Sequence, residues 1–382
     1  MSKILIKNIG CLYTGKMDQP KLDANSILIN DKIIEKIGND LTDDEATVID
    51  AKGTTVMPGL LDSHTHPVVG SWTPRQESMN WIEPYVRSGV TGLVSVGETH
   101  IPGKPKNAEG MRGLATTTKH TFTNVRPAKM KVYAGAYILH KDAVKEDFKR
   151  FKEMGCHNTG EIGLGSANTV ETASQIVEWA KEAGIKVTIH RGGAYLHGSN
   201  FIDVDTIVAL NPDVICHVSL GRVSSEEINR FFDETTSVVE VTRPQLGSMA
   251  QNKEVVAKAL SRNEPHRVIV GNDCPSGFGL YPHGIWEMVT FFASSTDLDV
   301  GQAIACASGN TAAVFELENT GTIEENNFAD LVICDAPLGS EYKDATDAIQ
   351  NDVIPGISIV MIDGECVAKG DAVYTAAPKN AI

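Results

Sequence analysis

Short apolar runs of β type open the chain at residues 3–8 (KILIKN) and 26–37 (SILINDKIIEKI). The second is broken by Asn30-Asp31, which reads as a hairpin turn. Thr47-Val48-Ile49-Asp50 and, after Gly53, Thr54-Thr55-Val56 continue the pattern, so the first 56 residues read as all-β. From Met57 onward apolar runs alternate with amphipathic stretches. Strand candidates fall at 58–63, 92–97, 132–139, 159–164, 186–190, 214–218, 237–241 and 267–271. The clearest helix is 169–183. There Val170, Ala173, Ile176, Val177 and Ala180 recur at helical spacing, Asn168 stands at the cap position with Glu171 three residues on, and Gly184 ends the run. A second helix starts at Ser224, with Glu227 completing a capping box and Ile228, Phe231 and Phe232 on its apolar face. Past residue 319 the β pattern returns in 329–334 (ADLVIC), 357–362 (ISIVMI), the turn Asp363-Gly364 and 365–368 (ECVA).

Eight strand–helix repeats predict an α/β fold, a (β/α)8 TIM-like barrel over 57–319, close to the ~250 residues typical of such barrels. Residues 1–56 and 320–382 then make one small β-sandwich domain from both chain ends, which the barrel interrupts. No run of ~18 apolar residues occurs, so no membrane span is expected. The N-terminus also lacks the apolar segment of a signal peptide. The 382 residues carry 34 Lys+Arg against 49 Asp+Glu, a net charge of −15, which argues against nucleic acid as a partner. The seven cysteines are scattered, odd in number and never spaced C-x-x-C. They read as reduced thiols of a cytoplasmic protein, not as a disulfide framework or zinc ribbon.

The candidate chemistry lies at strand ends, where barrel active sites are built. His64 and His66 flank Thr65 after Gly59-Leu60-Leu61, and residues i and i+2 of a strand point to the same side. Glu161 lies inside the apolar, glycine-rich strand Thr-Gly-Glu-Ile-Gly-Leu-Gly, a costly place for an acid without a partner. His190 ends strand five, His217 sits in strand six, and Asp273 ends strand eight. Each alone reads equally well as a hydrogen-bonded core or loop residue. Together they are four histidines and two carboxylates around one barrel mouth. Nitrogen and oxygen ligands without thiolates suit Zn, Fe or Mn. Six exceed what one tetrahedral ion takes, so two divalent metals bridged by a carboxylate are expected.

The run Val48-Ile49-Asp50-Ala51-Lys52-Gly53, then Met57-Pro58-Gly59-Leu60-Leu61-Asp62-Ser63-His64-Thr65-His66, resembles the lead into the barrel of the amidohydrolase superfamily. Gly321-Thr322-Ile323 followed by Ala329-Asp330-Leu331-Val332 resembles its return to the β-sandwich. The resemblance spans nearly the whole chain. Many members bridge their metals with a carboxylated lysine on strand four. Glu161 stands there instead, which narrows the likeness to a branch that includes enamidase, an enzyme that opens a partly reduced oxonicotinate ring with an iron–zinc pair. By that resemblance His64, His66 and Asp273 would bind one metal, His190 and His217 the other, and Glu161 both. The implied reaction is hydrolysis of a cyclic amide, in which Asp273 moves a proton from water to the leaving nitrogen and His100 orients the substrate or its oxyanion. His140, His157 and His197 are weaker candidates near the mouth, and His120, His266 and His283 read as structural.

The sequence departs from that branch in Arg191 after strand five, Arg222 after strand six and Arg243 at the end of strand seven. A guanidinium fork matches a carboxylate, so these arginines predict a small anionic cyclic amide as substrate. The rival readings are a hydantoinase-, dihydroorotase- or deaminase-like enzyme on the same barrel, and a non-catalytic scaffold. The resemblance also implies a homo-oligomer, dimer or tetramer.

Overall fold

The alternating runs at the two chain ends form two sheets with a common apolar face. In the computed structural model, residues 3–67, 81–101, 103–192, 199–221, 223–243, 248–275 and 279–370 are described. One sheet has four strands in the order Ile33–Gly38, Ser26–Asn30, Lys3–Lys7, Thr47–Asp50. The other runs from Glu365–Lys369 through Gly356–Ile362, Leu331–Asp335, Thr55–Pro58 and Cys11–Tyr13 to Lys21–Leu22. Ile6, Ile27 and Ile29 of the first sheet share one buried cluster with Val56, Leu331, Ile333, Ile359 and Met361 of the second. Both expected hairpins form. Asp31 (φ 57°) turns one, and Asp363 (φ 50°) with Gly364 (φ 71°) turns the other.

Strand Thr55–Pro58 runs two residues past position 56, pairing Met57 with Val332 and Pro58 with Leu331. The change of partner falls at Leu60, whose N–H donates to Gly89 O at 3.0 Å, while Gly59 N–H still bonds Asp330 O at 2.9 Å.

Among the described residues, seven parallel strands lie between these ends. Lys131–Tyr133, Val90–Ser95 and Leu60–Thr65 form one sheet, and Thr188–His190, Val214–Cys216, Val238–Thr242 and Val268–Gly271 form another. At one junction Asp273 N–H donates to His64 O (3.0 Å) and His66 N–H donates to Cys274 O (2.9 Å). At the other stands the expected fourth strand, and it differs from expectation. Residues 159–164 make isolated bridges only, Tyr137–Thr159 and Ile162–Ile189. Glycine is the reason. Gly163 holds φ 115°, outside strand geometry, and Gly160 approaches Ile138 so closely that a Cβ would lie 3.0 Å from its Cα. The segment still hydrogen-bonds to both sides, from Gly160 N to Tyr137 O (2.9 Å) and from Ile162 N to Thr188 O (2.9 Å). The third strand likewise stops at Tyr133, because Gly135 turns the chain at φ 100°.

The helix Val170–Glu182 buries Ala173, Ile176, Val177 and Ala180, the face read from the sequence. Its cap is Thr169 and not Asn168. The Thr169 side chain accepts from Thr172 N, while Asn168 turns its amide to Gly165 O. Helix Ser225–Asp233 begins with the expected Ser224–Glu227 capping box. Among the described residues, no helix is long and apolar enough to cross a membrane.

Candidate metal centre

His64 lies on strand Leu60–Thr65 and His66 one residue beyond it, so both imidazoles project from the same end of that strand. Gly271 makes room for the first, since a Cβ there would stand 2.5 Å from His64 Cβ. Both are buried, and each Nδ1 is engaged away from the centre. His64 Nδ1 lies 2.8 Å from Glu240 Oε1, and His66 Nδ1 lies 2.6 Å from Gly97 O. The two Nε2 atoms face each other at 3.3 Å. Asp273 Oδ1 completes the group, 3.2 Å from His66 Nε2 and 3.5 Å from His64 Nε2.

Glu161 lies between this group and a second. Its Oε2 faces His64 Nε2 (3.5 Å) and His66 Nε2 (3.8 Å). Its Oε1 faces His217 Nε2 (2.8 Å) and His190 Nδ1 (3.5 Å). The His190 and His217 rings lie 4.6 Å apart. His217 (φ 35°) and Asp273 (φ 53°) both hold left-handed backbone, which costs about 1–3 kcal/mol each and persists where a site demands it.

These donors fit divalent cations. A carbonyl only accepts, so His66 Nδ1 carries its proton, and Nε2 of the neutral ring is a lone pair. The same follows for His64, whose Nδ1 meets a carboxylate that also accepts from Ser63 Oγ (2.7 Å) and His217 N (3.1 Å). Two lone pairs and a carboxylate oxygen within 3.2–3.5 Å repel unless a cation lies among them. A tetrahedral ion with bonds of about 2.1 Å sets its ligands about 3.4 Å apart, which matches. His217, which presents Nε2 to Glu161, keeps its Nδ1 buried without a hydrogen-bond partner among the described residues.

Against burial, which opposes ionisation, positive charge gathered at this centre, on its imidazoles or on a cation among them, holds Asp273 well below the usual carboxylate range. Opposed by burial in the same way, that positive charge also lowers Glu161. His100 stacks edge-on against His66 with centroids 5.0 Å apart, and its Nε2 has no partner among the described residues. Burial, then positive charge at the neighbouring His66 side of the centre, pushes its pKa down to about 4.

Two supporting acids escaped the sequence reading. Glu240, in strand Val238–Thr242, is fully buried and holds His64, Ser63 and the His217 backbone at once. Its signal was an acid inside the apolar run Ser-Val-Val-Glu-Val, the same signal that marked Glu161. Asp62 ties the first strand to the last, accepting from His64 N (3.1 Å), Asn272 N (2.9 Å) and Asn272 Nδ2 (2.9 Å). Burial raises its pKa to about 7.

The arginines are differently placed. Arg191 is buried, donating to Leu220 O (3.0 Å) and Glu227 Oε1 (3.0 Å). Arg243 pairs with Glu287 and lies over the Tyr281 ring at 4.3 Å. Arg222 and His197 lie outside the described residues. His140 meets Asp142, and His157 faces Phe315 O (3.1 Å) beside the Tyr133 ring.

The profile of the amidohydrolase family matches residues 55–367. The enamidase of Eubacterium barkeri is 43% identical over 372 residues, 96% of this chain and 96% of the relative. A dihydroorotase of Halalkalibacterium halodurans is 28% identical over 183 residues, 47% of this chain and 39% of its own length. The crystal structure of enamidase at 1.9 Å resolution superposes with a TM-score of 0.94 at 41% identity, covering 100% of both chains. A β-aspartyl dipeptidase from Fervidobacterium islandicum superposes at 0.66 and 18% identity over 99% of each chain, a likeness of fold alone.

Proposed function

The chain belongs to the amidohydrolase family, and on that premise we propose that it is an enamidase-like hydrolase, opening a small cyclic amide at its ring C–N bond with two divalent metal ions. The observation that carries this reading is Glu161, which directs one carboxylate oxygen to each histidine group. The fold is read as a (β/α)8 barrel over 57–319 with a small β-sandwich from 1–56 and 320–382. The site then lies at the strand C-termini, where barrel chemistry occurs.

His64, His66 and Asp273 would hold one ion, His190 and His217 the other, and Glu161 both. Zinc with iron, two zincs or manganese suit this set. Bound there, the ions supply acidified water and a polarised amide carbonyl. The rest falls to the chain. Asp273, ionised and beside His66, takes the proton of the attacking water and gives it to the leaving ring nitrogen. His100, neutral at physiological pH with a ring nitrogen unpartnered, donates to the carbonyl oxygen as negative charge develops there.

The proposed substrate is a small carboxylate-bearing ring amide of the reduced 6-oxonicotinate type. All seven cysteines are unpaired, which supports a reducing, cytoplasmic setting. A homo-oligomer, dimer or tetramer, is also proposed, and light scattering measures it.

The test is metal-loaded protein incubated separately with 6-oxo-1,4,5,6-tetrahydronicotinate, hydantoin and dihydroorotate. Mass spectrometry should show ring opening, with addition of one water, for the first. Turnover of only the other two, or of none at full metal content, rejects the reading.

A further inference from the structure

Thr99 and Ile101, on either side of His100 in sequence, line a cavity of about 620 Å³ that neither His100 nor the metal ligands line. Lys104, Lys106 and His140 contribute to its wall, and none of its described lining residues is aspartate or glutamate. In a chain of net charge −15, a pocket wall with cations and no acids is not what composition alone provides.

Lys104 is placed by two local features. A turn closes directly after His100, where Lys104 N–H donates to Ile101 O at 3.1 Å. Its ammonium then reaches the loop that carries the central carboxylate, donating to Leu164 O at 3.0 Å and, more weakly, to Thr99 Oγ1 at 3.4 Å. Leu164 N–H in turn donates to Glu161 O at 3.2 Å. His100 lies edge-on against His66, and the charge of Lys104, a residue of the cavity wall, acts on the His100 ring. An ammonium has three donors, and these contacts occupy two with neutral acceptors. Among the described residues Lys104 has no carboxylate partner, unlike Lys131, Lys186 or Lys258. Arg191 and Arg243 are each committed to a glutamate already.

We propose that Lys104 is the residue that binds the substrate's carboxylate, with the ring laid between it and the metal centre and His100 beside the ring. This rests on the reading of the site as a cyclic-amide hydrolase and names the group that selects an anionic ring. Burial lowers the Lys104 pKa below that of an ordinary lysine, and a carboxylate neighbour would offset that desolvation.

The experiment compares 6-oxo-1,4,5,6-tetrahydropyridine-3-carboxylate with its 3-carboxamide, in the metal-loaded wild type, Lys104→Met and Lys104→Arg. The wild type should prefer the carboxylate. Lys104→Met should lower the carboxylate-to-carboxamide ratio of kcat/KM about tenfold or more, chiefly through KM, because a charge-assisted contact is lost. Lys104→Arg, which keeps the charge, should restore part of that ratio. A ratio that stays put in Lys104→Met overturns the proposal, as does an equal loss on both substrates, which marks a structural role. A wild type that opens both rings equally well overturns anion selection but leaves the cyclic-amide reading standing. A wild type that opens neither at full metal content rejects both.

Discussion

Glu240 Oε1 lies 2.8 Å from His64 Nδ1, and this contact decides which nitrogen of His64 faces the centre. The carboxylate also accepts from Ser63 Oγ and His217 N, so it fixes two proposed ligands at once. Partners of this kind orient a metal-binding imidazole and raise its basicity. Glu240→Ala should weaken metal binding about 10- to 100-fold, read by competition with a chromophoric chelator. Wild-type affinity in that variant would show that packing alone orients His64.

How far the sequence disclosed this arrangement depends on the distance over which each signal acts. Helix Val170–Glu182 and the Ser224 cap follow from spacing within a few residues, and both appeared where expected. The six converging donors were legible because each stands within or at the end of an apolar run, a position that repeats around the fold. Glu240 carried the same local signature as Glu161, and only its contact with His64, 176 positions away in sequence, separates support from ligand. The broken strand at 159–164 was misread because its apolar pattern is strand-like while Gly163 adopts φ 115°. Arg191 could not be resolved from sequence. Its position after strand five places its backbone near the site, but its guanidinium turns to Glu227, in the first turn of helix Ser225–Asp233.

That placement gives Arg191 a different expected phenotype from Lys104. Its side chain is 7% exposed against 26% for Glu227. Arg191→Met leaves Leu220 O without its donor, while Glu227 still reaches water. The expected loss is about 1–3 kcal/mol of stability, seen as a lower urea midpoint, with less change in anion selectivity than Lys104→Met produces. An unchanged midpoint with lost preference for the carboxylate would instead assign the substrate grip to Arg191.

The turn between Gly356–Ile362 and Glu365–Lys369 should be tied to the parallel strands by a contact that acid weakens. Asp363, in the turn before Glu365–Lys369, meets Lys131 Nζ at 2.8 Å and Arg126 Nη1 at 2.7 Å. Burial pushes its pKa up, but the Lys131 hydrogen bond and charge, then Arg126, prevail and hold it below the usual carboxylate value. A folded pKa below the unfolded one stabilises fully above about pH 4 and is lost as pH falls through the folded value. Asn tolerates the left-handed turn, so Asp363→Asn removes the charge and keeps the backbone. At pH 7 it should cost about 1 kcal/mol, allowing for partial exposure. The gap from wild type should close as pH drops below ~4. Taking the difference between the two proteins cancels any metal loss they share. A gap that stays constant with pH would assign the effect to shape.

Glu161 and Asp273 should separate metal binding from proton transfer. Protein purified without chelators should hold two metal equivalents per chain, with zinc in at least one site and, by the resemblance above, iron in the other. Glu161 faces both histidine groups, so Glu161→Ala removes a donor from each and should lose metal and activity together. Asp273 faces only the His64–His66 group, and there an asparagine oxygen can still point at the cation. Asp273→Asn should therefore retain much of its metal. It should lose most turnover, by about 100-fold or more, because an amide oxygen does not carry a proton from water to a leaving nitrogen. Elemental analysis paired with single-turnover kinetics reads both quantities on the same sample. Full activity and full metal in Glu161→Ala would remove that residue from the centre. A near wild-type rate in Asp273→Asn would give the proton to another group, with His100, 5.0 Å from the His66 ring, the next to test.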